Sequence, residues 1–432
     1  MTGREPPVTP EDRLYRIVED GMCIGCGLCE SVAGPDVVRV EKVESGYECP
    51  VVVGDLDHEA VDRILDVCPG TRLDGLPNRL VDADTKHDLI WGPYKQMVRA
   101  WASDPEVRYR GSTGGVLTAL GQFLVASGSV DFVLHVRASP EHPTFGERHV
   151  SVDARSVLDG AGSRYGPTAP LVDIGDHLDR GRPFAFIGKP CDVAALRNLA
   201  RFDARVDELV RYQLALVCGG FMPPHGMDRF LRDRERLDPD RLTAFRYRGH
   251  GCPGRMRYEL DDGTHREFRY TDFWGTDESQ WVLPFRCKVC PDGIGEAADL
   301  AASDTWPGGS PDPATEDADA GTNAVVIRTQ AGLDLMRAAE AARFVTIERD
   351  VDPRYMDEVQ PHQRKKKLAV RARWDGLTAE GRTAPRSAGL RLDDLAHRNG
   401  KENNERQFRG ARERVRVGKA SEPRPRRRKK AQ

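Results

Sequence analysis

PFAFIGKPCDVAALRNLARFD, residues 183–203, and YQLALVCGG, residues 212–220, are the two segments that decide the fold of this chain. Each contains a short apolar run of the kind that forms a buried strand. Between these runs, CDVAALRNLARFD is typical of a helix. Because strand and helix alternate here, the two segments predict an α/β fold.

The same alternation continues on both sides of these segments. A strand is predicted at residues 96–102, and STGGVLTALGQFLVASG, residues 112–128, is typical of a glycine-rich turn that enters an amphipathic helix. Residues 130–138 predict another strand, and residues 322–342 predict a strand followed by a helix. The pattern becomes strand-rich after Arg241, so the predicted class is α/β locally and α+β overall.

The composition is ordinary for a soluble protein, with 31% charged residues and a net charge of −3. The N-terminus lacks the apolar region of a secretory signal, and no segment approaches the roughly 18 apolar residues of a membrane span. We therefore expect a cytoplasmic protein, where thiols stay reduced. The ten cysteines then point to metal or redox chemistry rather than to disulfides.

Three cysteines, Cys23, Cys26 and Cys29, form the tight repeat MCIGCGLCES at residues 22–31. This spacing is typical of a loop that places three thiolates on one iron–sulfur cube, and zinc is the alternative. The glycines between the cysteines would let backbone amides approach the sulfides.

A fourth ligand for this first site has to come from further along the chain. Cys49 and Cys68 are both followed by proline. We prefer Cys68, because the preceding LDHEAVDRIL predicts a helix and a helix followed by Cys-Pro resembles the end of a single-cluster ferredoxin. Cys49, next to a predicted strand, is then a small buried hydrophobic residue.

Cys287 and Cys290 form an isolated C-x-x-C pair that needs two further ligands. Cys191 and Cys218 each follow an apolar strand, and ligands gather outside the carboxyl ends of the strands in an α/β sheet. These four cysteines predict a second 4Fe–4S site. Two alternatives stay open: some of the four only fill space in the core, or Cys252 takes one of the ligand places.

Three segments offer hydroxyl groups, two cations and an aromatic ring that together suit a phosphate-bearing ligand. The first, at residues 112–115, is predicted to stand at a helix N-terminus, where free N–H groups favour an anion, although such residues also simply cap helices. The candidate residues of the three segments are Ser112, Thr113, Gly114, Gly115, Ser163, Arg164, Tyr165 and Lys189.

RGHGCPG, residues 248–254, formally matches a dinucleotide-binding G-x-G-x-x-G motif. That motif requires a strand before it and a helix after it. Here Pro253 lies inside the turn and RMRYEL predicts a strand, so we reject a dinucleotide fold at this place.

Taken in order, CIGCGLC, STGGVLTAL, GKPCDVAALR, VCGGF, RGHGCPG and FRCKVCPDGIGEAADLAASDTW resemble the beta subunits of coenzyme F-420 hydrogenases and dehydrogenases. That group also includes the ferredoxin-dependent 7-hydroxymethyl chlorophyll a reductase and the divinyl chlorophyllide 8-vinyl reductase. The resemblance extends over about residues 20–350, and YRGHGCPG, FWG and CPDG are most similar to the chlorophyll-type branch.

The resemblance implies FAD, one or two 4Fe–4S clusters and two-electron reduction through the flavin. It also implies a partner, either ferredoxin or a hydrogenase or dehydrogenase subunit, and an oligomeric assembly. By this resemblance the flavin contacts are the eight candidate residues given above, namely Ser112, Thr113, Gly114, Gly115, Ser163, Arg164, Tyr165 and Lys189.

Four regions are predicted along the chain. Residues 1–80 form a ferredoxin-like iron–sulfur unit, residues 81–240 an FAD-binding α/β domain, and residues 241–370 a C-terminal domain that carries ligands of the second cluster. Residues 371–432 form a basic tail without apolar periodicity, for which we expect disorder.

The function expected is an iron–sulfur flavoprotein oxidoreductase that exchanges hydride with coenzyme F-420. The alternatives are a ferredoxin-dependent reductase of a conjugated, tetrapyrrole-like substrate and an electron-transfer subunit without a substrate of its own. Nucleic acid binding is a third alternative, which only the RPRRRKK tail suggests. Candidate proton donors are His250, Cys252 and Asp292, although Asp292 is better explained as a turn carboxylate that bonds backbone amides.

Overall fold

The computed structural model describes residues 8–275, 281–316 and 318–426. Its helices are α1 Pro10–Glu19, α2 Leu28–Ala33, α3 His58–Val67, α4 Pro105–Arg110, α5 Val116–Ala126, α6 Ala154–Asp159, α7 Ile174–Asp179, α8 Pro190–Leu199, α9 Arg205–Leu209, α10 Gly226–Asp233, α11 Tyr270–Trp274, α12 Phe285–Lys288, α13 Gln330–Ala341, α14 Pro353–Val359, α15 Pro361–Ala379, α16 Leu392–Asn399 and α17 Lys401–Arg416. Its strands are β1 Val38–Lys42, β2 Glu48–Val52, β3 Lys86–Asp88, β4 Gly92–Tyr94, β5 Gln96–Ala102, β6 Phe132–Ala138, β7 Gly146–Ser151, β8 Phe184–Gly188, β9 Val210–Leu216, β10 Leu242–Arg246, β11 Met256–Leu260, β12 His265–Phe268, β13 Leu300–Asp304, β14 Asn323–Ile327 and β15 Val345–Asp350.

Eight of these strands form one mixed sheet in the order β15-β5-β14-β13-β9-β8-β6-β7. The four central strands, β13, β9, β8 and β6, are parallel to one another, and antiparallel strands extend the sheet on both sides. Helices cover both faces. The predicted mixed α/β class is therefore confirmed.

The segment 183–203 folds as predicted into β8 and α8, and residues 212–220 contain most of β9. Along β8 the side chains alternate between two cores. Phe184 and Phe186 pack with α8 on one face of the sheet, whereas Ala185 packs with α5 and α13 on the other. Apolar residues on both faces are what a central parallel strand requires.

The strand-rich segment after Arg241 forms a small antiparallel sheet of β10, β11 and β12. Its inner face holds Phe245, Met256 and Tyr258 in a separate apolar cluster. The segments that follow β10 and β12 supply Arg248 and Tyr270 to the site described below.

The N-terminal unit consists of α1, α2, α3 and the hairpin of β1 and β2. Thr9 and Asp12 form a capping box that begins α1. Leu14 and Ile17 of α1 pack against Ile64 of α3, which fixes the cysteine loop between these helices.

The prediction of a disordered tail from residue 371 is wrong for the described part of that region. Gly376 of α15 lies close to the carbonyl oxygen of Phe408, so α17 packs tightly along α15. Trp374 is buried and its indole donates to the Val289 carbonyl at 2.9 Å. Residues 427–432 lie outside the described residues.

The helices after residue 371 were not predicted because the region is so rich in charged residues. Ala411 and Val415 are spaced four residues apart and are the buried positions of α17, whereas Arg412 and Arg416 pair with Glu380 at 2.6 and 2.9 Å. Two small apolar residues on a highly charged helix give too weak a periodicity to predict packing. Within the described part of the chain, no helix has the length and apolar character that a membrane span requires.

Candidate functional site

A cavity of about 300 Å³ opens at the carboxyl ends of the central parallel strands. Lys189 follows β8, residues 217–221 follow β9, and Asp304 ends β13, and all of them line this cavity. This is the edge at which α/β sheets bind their ligands. The volume falls at the lower end of the range of small-molecule sites.

The cavity is lined by seven of the eight residues predicted from the sequence as flavin contacts, which come from three separate segments of the chain. They are Ser112, Thr113, Gly115, Ser163, Arg164, Tyr165 and Lys189. The Ser163 hydroxyl donates to the Ser112 hydroxyl at 2.8 Å, which joins two of the segments. Gly115 begins α5 with φ of 73°, a conformation that favours glycine.

Gly114 is the exception among the eight. A Cβ atom at this position would lie 2.7 Å from the Asn323 side-chain oxygen and 2.8 Å from the Asn323 nitrogen. The glycine is therefore required by the close approach of the loop to β14, and it does not line the cavity. For Gly114→Val we accordingly expect a packing defect rather than a specific loss of ligand.

Arg248 is a wall residue that sequence reasoning missed. Its side chain is 5% exposed and donates to Asp304 at 2.9 Å, to Thr113 at 3.1 Å and to the Ser112 carbonyl at 2.8 Å. Burial disfavours its charge, but the Asp304 carboxylate raises the pKa of Arg248 above its usual value. Arg248 is the first residue of the RGHGCPG motif, and this motif is the feature of the sequence that could have identified it as a site residue.

Aromatic side chains form the rest of this wall. The Arg248 guanidinium lies 4.6 Å from the centre of the Trp306 ring and 5.3 Å from that of Tyr270. Trp274 and Trp281 meet edge to face at 5.6 Å between ring centres. Both have a buried indole N–H without a partner in the described part of the chain, so the wall offers free donors beside its flat faces.

Lys189 and Asp192 form a buried pair at the start of α8, 2.7 Å apart. Burial disfavours the ammonium, but Asp192 and the nearby thiol of Cys191 raise the pKa of Lys189. Burial raises the pKa of Asp192 as well. Lys189 therefore gives the cavity a positive charge, but this charge is already paired with the Asp192 carboxylate.

The four cysteines predicted for the second site are neighbours. The Cys191 thiol feels the charges of Cys218 and Cys290, and Cys287 feels those of the same two residues. Burial raises the pKa of Cys191 and Cys218, and raises that of Cys287 to about 12. Cys218 belongs both to this second quartet and to the lining of the cavity.

The four cysteines predicted for the first site, the first quartet, line one small cavity: Cys23, Cys26, Cys29 and Cys68. Backbone amides donate to two of these sulfurs, from Gly25 to Cys23 at 3.4 Å and from Gly70 to Cys68 at 3.3 Å. Cys49 is not among the lining residues, although its thiol lies near enough to Cys23 to raise the pKa of that residue. Of the two cysteines followed by proline, Cys68 is the one that lines the cavity of the other three thiols.

The two quartets lie close to each other. Asp192, next to Cys191, contributes to the charge around Cys26, and Arg286, next to Cys287, contributes to the charge around Cys68. The first quartet therefore lies next to the second quartet, and the second quartet lies next to the cavity. Cys218 is the cysteine that borders the cavity.

Both quartets can be compared with what a metal centre requires. Among residues 8–275, 281–316 and 318–426, no three His, Cys, Asp or Glu side chains converge closely enough for a single metal ion. A four-iron cube is wider than one ion and is held by four separated thiolates. The buried thiols with amide donors fit an anionic cluster, and so does the buried Arg286, which has no carboxylate partner among the described residues.

The three candidate proton donors lie outside the cavity lining. His250 is exposed, with φ of 60°, and rests against Tyr109. Cys252 is 1% exposed beside Trp306, and burial raises its pKa to about 12. Asp292 accepts from the Glu296 amide at 2.9 Å, which agrees with its interpretation as a turn carboxylate.

The sequence is similar to that of several known proteins, and these similarities indicate the class of protein to which the chain is related. F420-dependent formate dehydrogenase 1 subunit beta of Methanococcus maripaludis is 28% identical over 213 residues, 48% of this chain and 51% of that protein. Coenzyme F420-dependent sulfite reductase of Methanocaldococcus jannaschii is 24% identical over 353 residues, 78% of this chain and 49% of that protein. The chain spans about half the length of these curated relatives, which are oxidoreductases.

A protein of the F420-reducing NiFe hydrogenase complex from Methanosarcina barkeri shares the fold, with a TM-score of 0.54 and 19% identity. The match covers 68% of this chain and 96% of that one. The proteins that this chain resembles are thus named as F420-linked enzymes or as parts of an F420-linked complex.

Two family models match consecutive parts of the sequence, and both describe the beta subunit of coenzyme F420 hydrogenase/dehydrogenase. The model of its N-terminal part matches residues 97–174, and the model of its C-terminal part matches residues 181–352. Together they account for more than half of the chain. The chain belongs to the coenzyme F420 hydrogenase/dehydrogenase beta-subunit family.

Proposed function

We propose that this chain is an iron–sulfur flavoprotein that passes electrons between two 4Fe–4S clusters and FAD and exchanges hydride with coenzyme F420. The observation that carries the proposal is the position of Cys218. This residue belongs to the second quartet and also lines the cavity that gathers the predicted flavin contacts. A group bound in the cavity would therefore lie beside a group bound by the cysteines.

Side chains of the cavity would hold FAD in this proposal. The turn at Ser112 and Thr113 and the N-terminus of α5 would receive a phosphate, because the first N–H groups of a helix favour an anion. Arg164 contributes a buried guanidinium whose Nε has no partner in the described part of the chain. Bound FAD would couple one-electron transfer to a hydride step.

The two quartets would each hold one cluster as thiolates. Burial opposes ionisation of the free thiols, so cluster binding has to supply the charge that keeps them deprotonated. The amides that donate to Cys23 and Cys68 would stabilise sulfur charge in the same way.

A partner belongs to the same proposal. One relative is named as the beta subunit of a formate dehydrogenase, and another is named as a sulfite reductase. We propose that electrons are exchanged at the cysteine quartets with a partner protein, either another subunit or a ferredoxin, in the cytoplasm.

The aromatic wall favours a second candidate function, a ferredoxin-dependent reductase of a conjugated organic substrate. The rings of Tyr270, Trp274, Trp281 and Trp306 line one side of the cavity, and the indole N–H groups of Trp274 and Trp281 have no partner among the described residues. Such a wall suits any planar, polar ring system, and coenzyme F420 is only one of them.

Anaerobic reduction distinguishes the two functions. Purified protein is mixed in parallel with reduced F420 or with reduced ferredoxin while the visible absorbance of the flavin is followed. Rapid bleaching by reduced F420, retained in Cys287→Ser, supports hydride exchange at the flavin. Bleaching by reduced ferredoxin alone, lost in Cys287→Ser, supports the second candidate, and bleaching by neither contradicts both.

A further inference from the structure

Arg286 is a buried arginine that joins the two cysteine quartets. It lies on α12 between Phe285, which packs into the core of the N-terminal unit, and Cys287 of the second quartet. Its Nη2 donates to the carbonyl oxygen of Pro69 at 2.8 Å, and Pro69 directly follows Cys68 of the first quartet. One side chain thus connects the loops of both quartets.

The rest of the guanidinium has no partner in the described part of the chain. Arg286 is 2% exposed, its Nε and Nη1 make no hydrogen bond there, and no carboxylate of the described residues lies within ion-pair distance. A buried cation is costly without an anion beside it. Since the described neighbours supply no carboxylate, the anion has to be something else.

The first quartet is a source of negative charge close to this cation. The Pro69 carbonyl that accepts from Arg286 directly follows Cys68, so the guanidinium lies beside the loop of the first quartet. A cluster bound here would concentrate negative charge on the thiolate and sulfide sulfurs. Arginine is suited to such a site because it remains charged when buried and carries its donors in a planar fork.

We infer that Arg286 is a positioning residue of the first cluster site, whose positive charge raises the reduction potential of the cluster there. The inference rests on the proposed function. A cation stabilises the more negative, reduced state of a neighbouring cluster, and the effect is large where the surroundings exclude water. The hydrogen bond to Pro69 keeps this charge between the two quartets.

The test is an anaerobic redox titration of the full chain with dithionite, in which each cluster accepts one electron and paramagnetic resonance separates the two signals. Arg286→Gln should lower the potential of the first cluster, with about a tenfold smaller ratio of reduced to oxidised cluster, or about 59 mV for one electron. Arg286→Lys keeps the charge and should stay near wild type. Lys288→Gln removes a cation beside Cys287 and should leave the first cluster unchanged.

An unchanged potential of the first cluster in Arg286→Gln would show that the arginine only connects the two loops structurally. That result would overturn the inference. If Arg286→Gln does not assemble the first cluster, the iron contents of Arg286→Gln and Arg286→Lys are compared instead. Loss in the Gln variant with retention in the Lys variant supports a requirement for charge, and equal loss in both overturns it. Wild-type protein with no first cluster at all would contradict the proposed function, and this inference with it.

Discussion

Arg248 donates to Asp304 at 2.9 Å in the wall of the cavity, and this ion pair joins the loop between β10 and β11 to the end of β13. Asp304→Asn would leave the buried guanidinium without its counter-charge. We expect a loss of about 3 kcal/mol in the free energy of unfolding, because removal of one partner leaves an uncompensated charge. Urea denaturation measures the change.

The matched control is Glu348→Gln, which breaks the partly exposed pair of Arg99 and Glu348 at 2.7 Å. Pairs of this kind contribute at most about 1 kcal/mol. Equal losses in Asp304→Asn and Glu348→Gln would show that the Arg248 pair has no special role in the cavity wall.

The fourth residue of the first quartet can be tested by iron content. Cys68→Ser should lose about four iron atoms, the content of one cube, whereas Cys49→Ser should keep the wild-type value. The reason is that Cys68 lines the cavity of the other three thiols and Cys49 does not. Iron lost in Cys49→Ser and kept in Cys68→Ser would reverse the assignment.

Lys189 is the cation expected to retain the flavin. Lys189→Ala should lower the FAD content of anaerobically purified protein or the potential of its flavin, because the ammonium lies in the cavity and is held by Asp192 at 2.7 Å. Lys86→Ala removes an exposed lysine of β3 and serves as the control. The same FAD content and potential in both variants would place the flavin elsewhere.

His135 should make the fold sensitive to acid. Its ring is buried against Ser151 at 2.8 Å, and burial lowers the pKa of His135 to about 4. An unfolded histidine titrates near 6.5, so the unfolded chain binds the proton first as the pH falls. Stability is therefore full above about pH 6.5 and declines towards pH 4, by roughly 3 kcal/mol in all.

His135→Gln should remove this part of the acid sensitivity, as measured by urea denaturation between pH 7 and pH 4 (roughly the interval between the two pKa values). His58→Gln changes an exposed histidine and should leave the pH profile unchanged. Parallel profiles for wild type and His135→Gln would show that His135 is protonated as easily in the fold as outside it.

Much of the body could be predicted from local patterns. The runs that became β8, β9 and β14 are apolar on both faces, and STGG before Val116 marks the start of α5. The convergence of Ser112, Ser163 and Lys189 was predictable only through the family resemblance, because nothing in their spacing brings three distant segments together.

The cavity wall and the C-terminal helices could not be predicted in this way. Arg248 and Asp304 are far apart in sequence and meet only when the small sheet packs beside the large one. Trp374 lies in α15, where buried apolar residues such as Leu368 and Leu377 are interspersed with many charged ones, so the packed face is not evident from the sequence. The close approach of Gly114 to Asn323 could not be predicted either, because glycine serves close backbone packing as readily as ligand binding.

The most direct test of the account is the iron and flavin content of anaerobically reconstituted protein. We predict about eight iron atoms, two four-iron cubes, and one FAD per chain. We also predict that Cys26→Ser and Cys287→Ser each lose about half of the iron and keep the other cluster. Wild-type protein without FAD, or with four iron atoms that Cys287→Ser does not affect, would contradict the two-cluster flavoprotein proposed here.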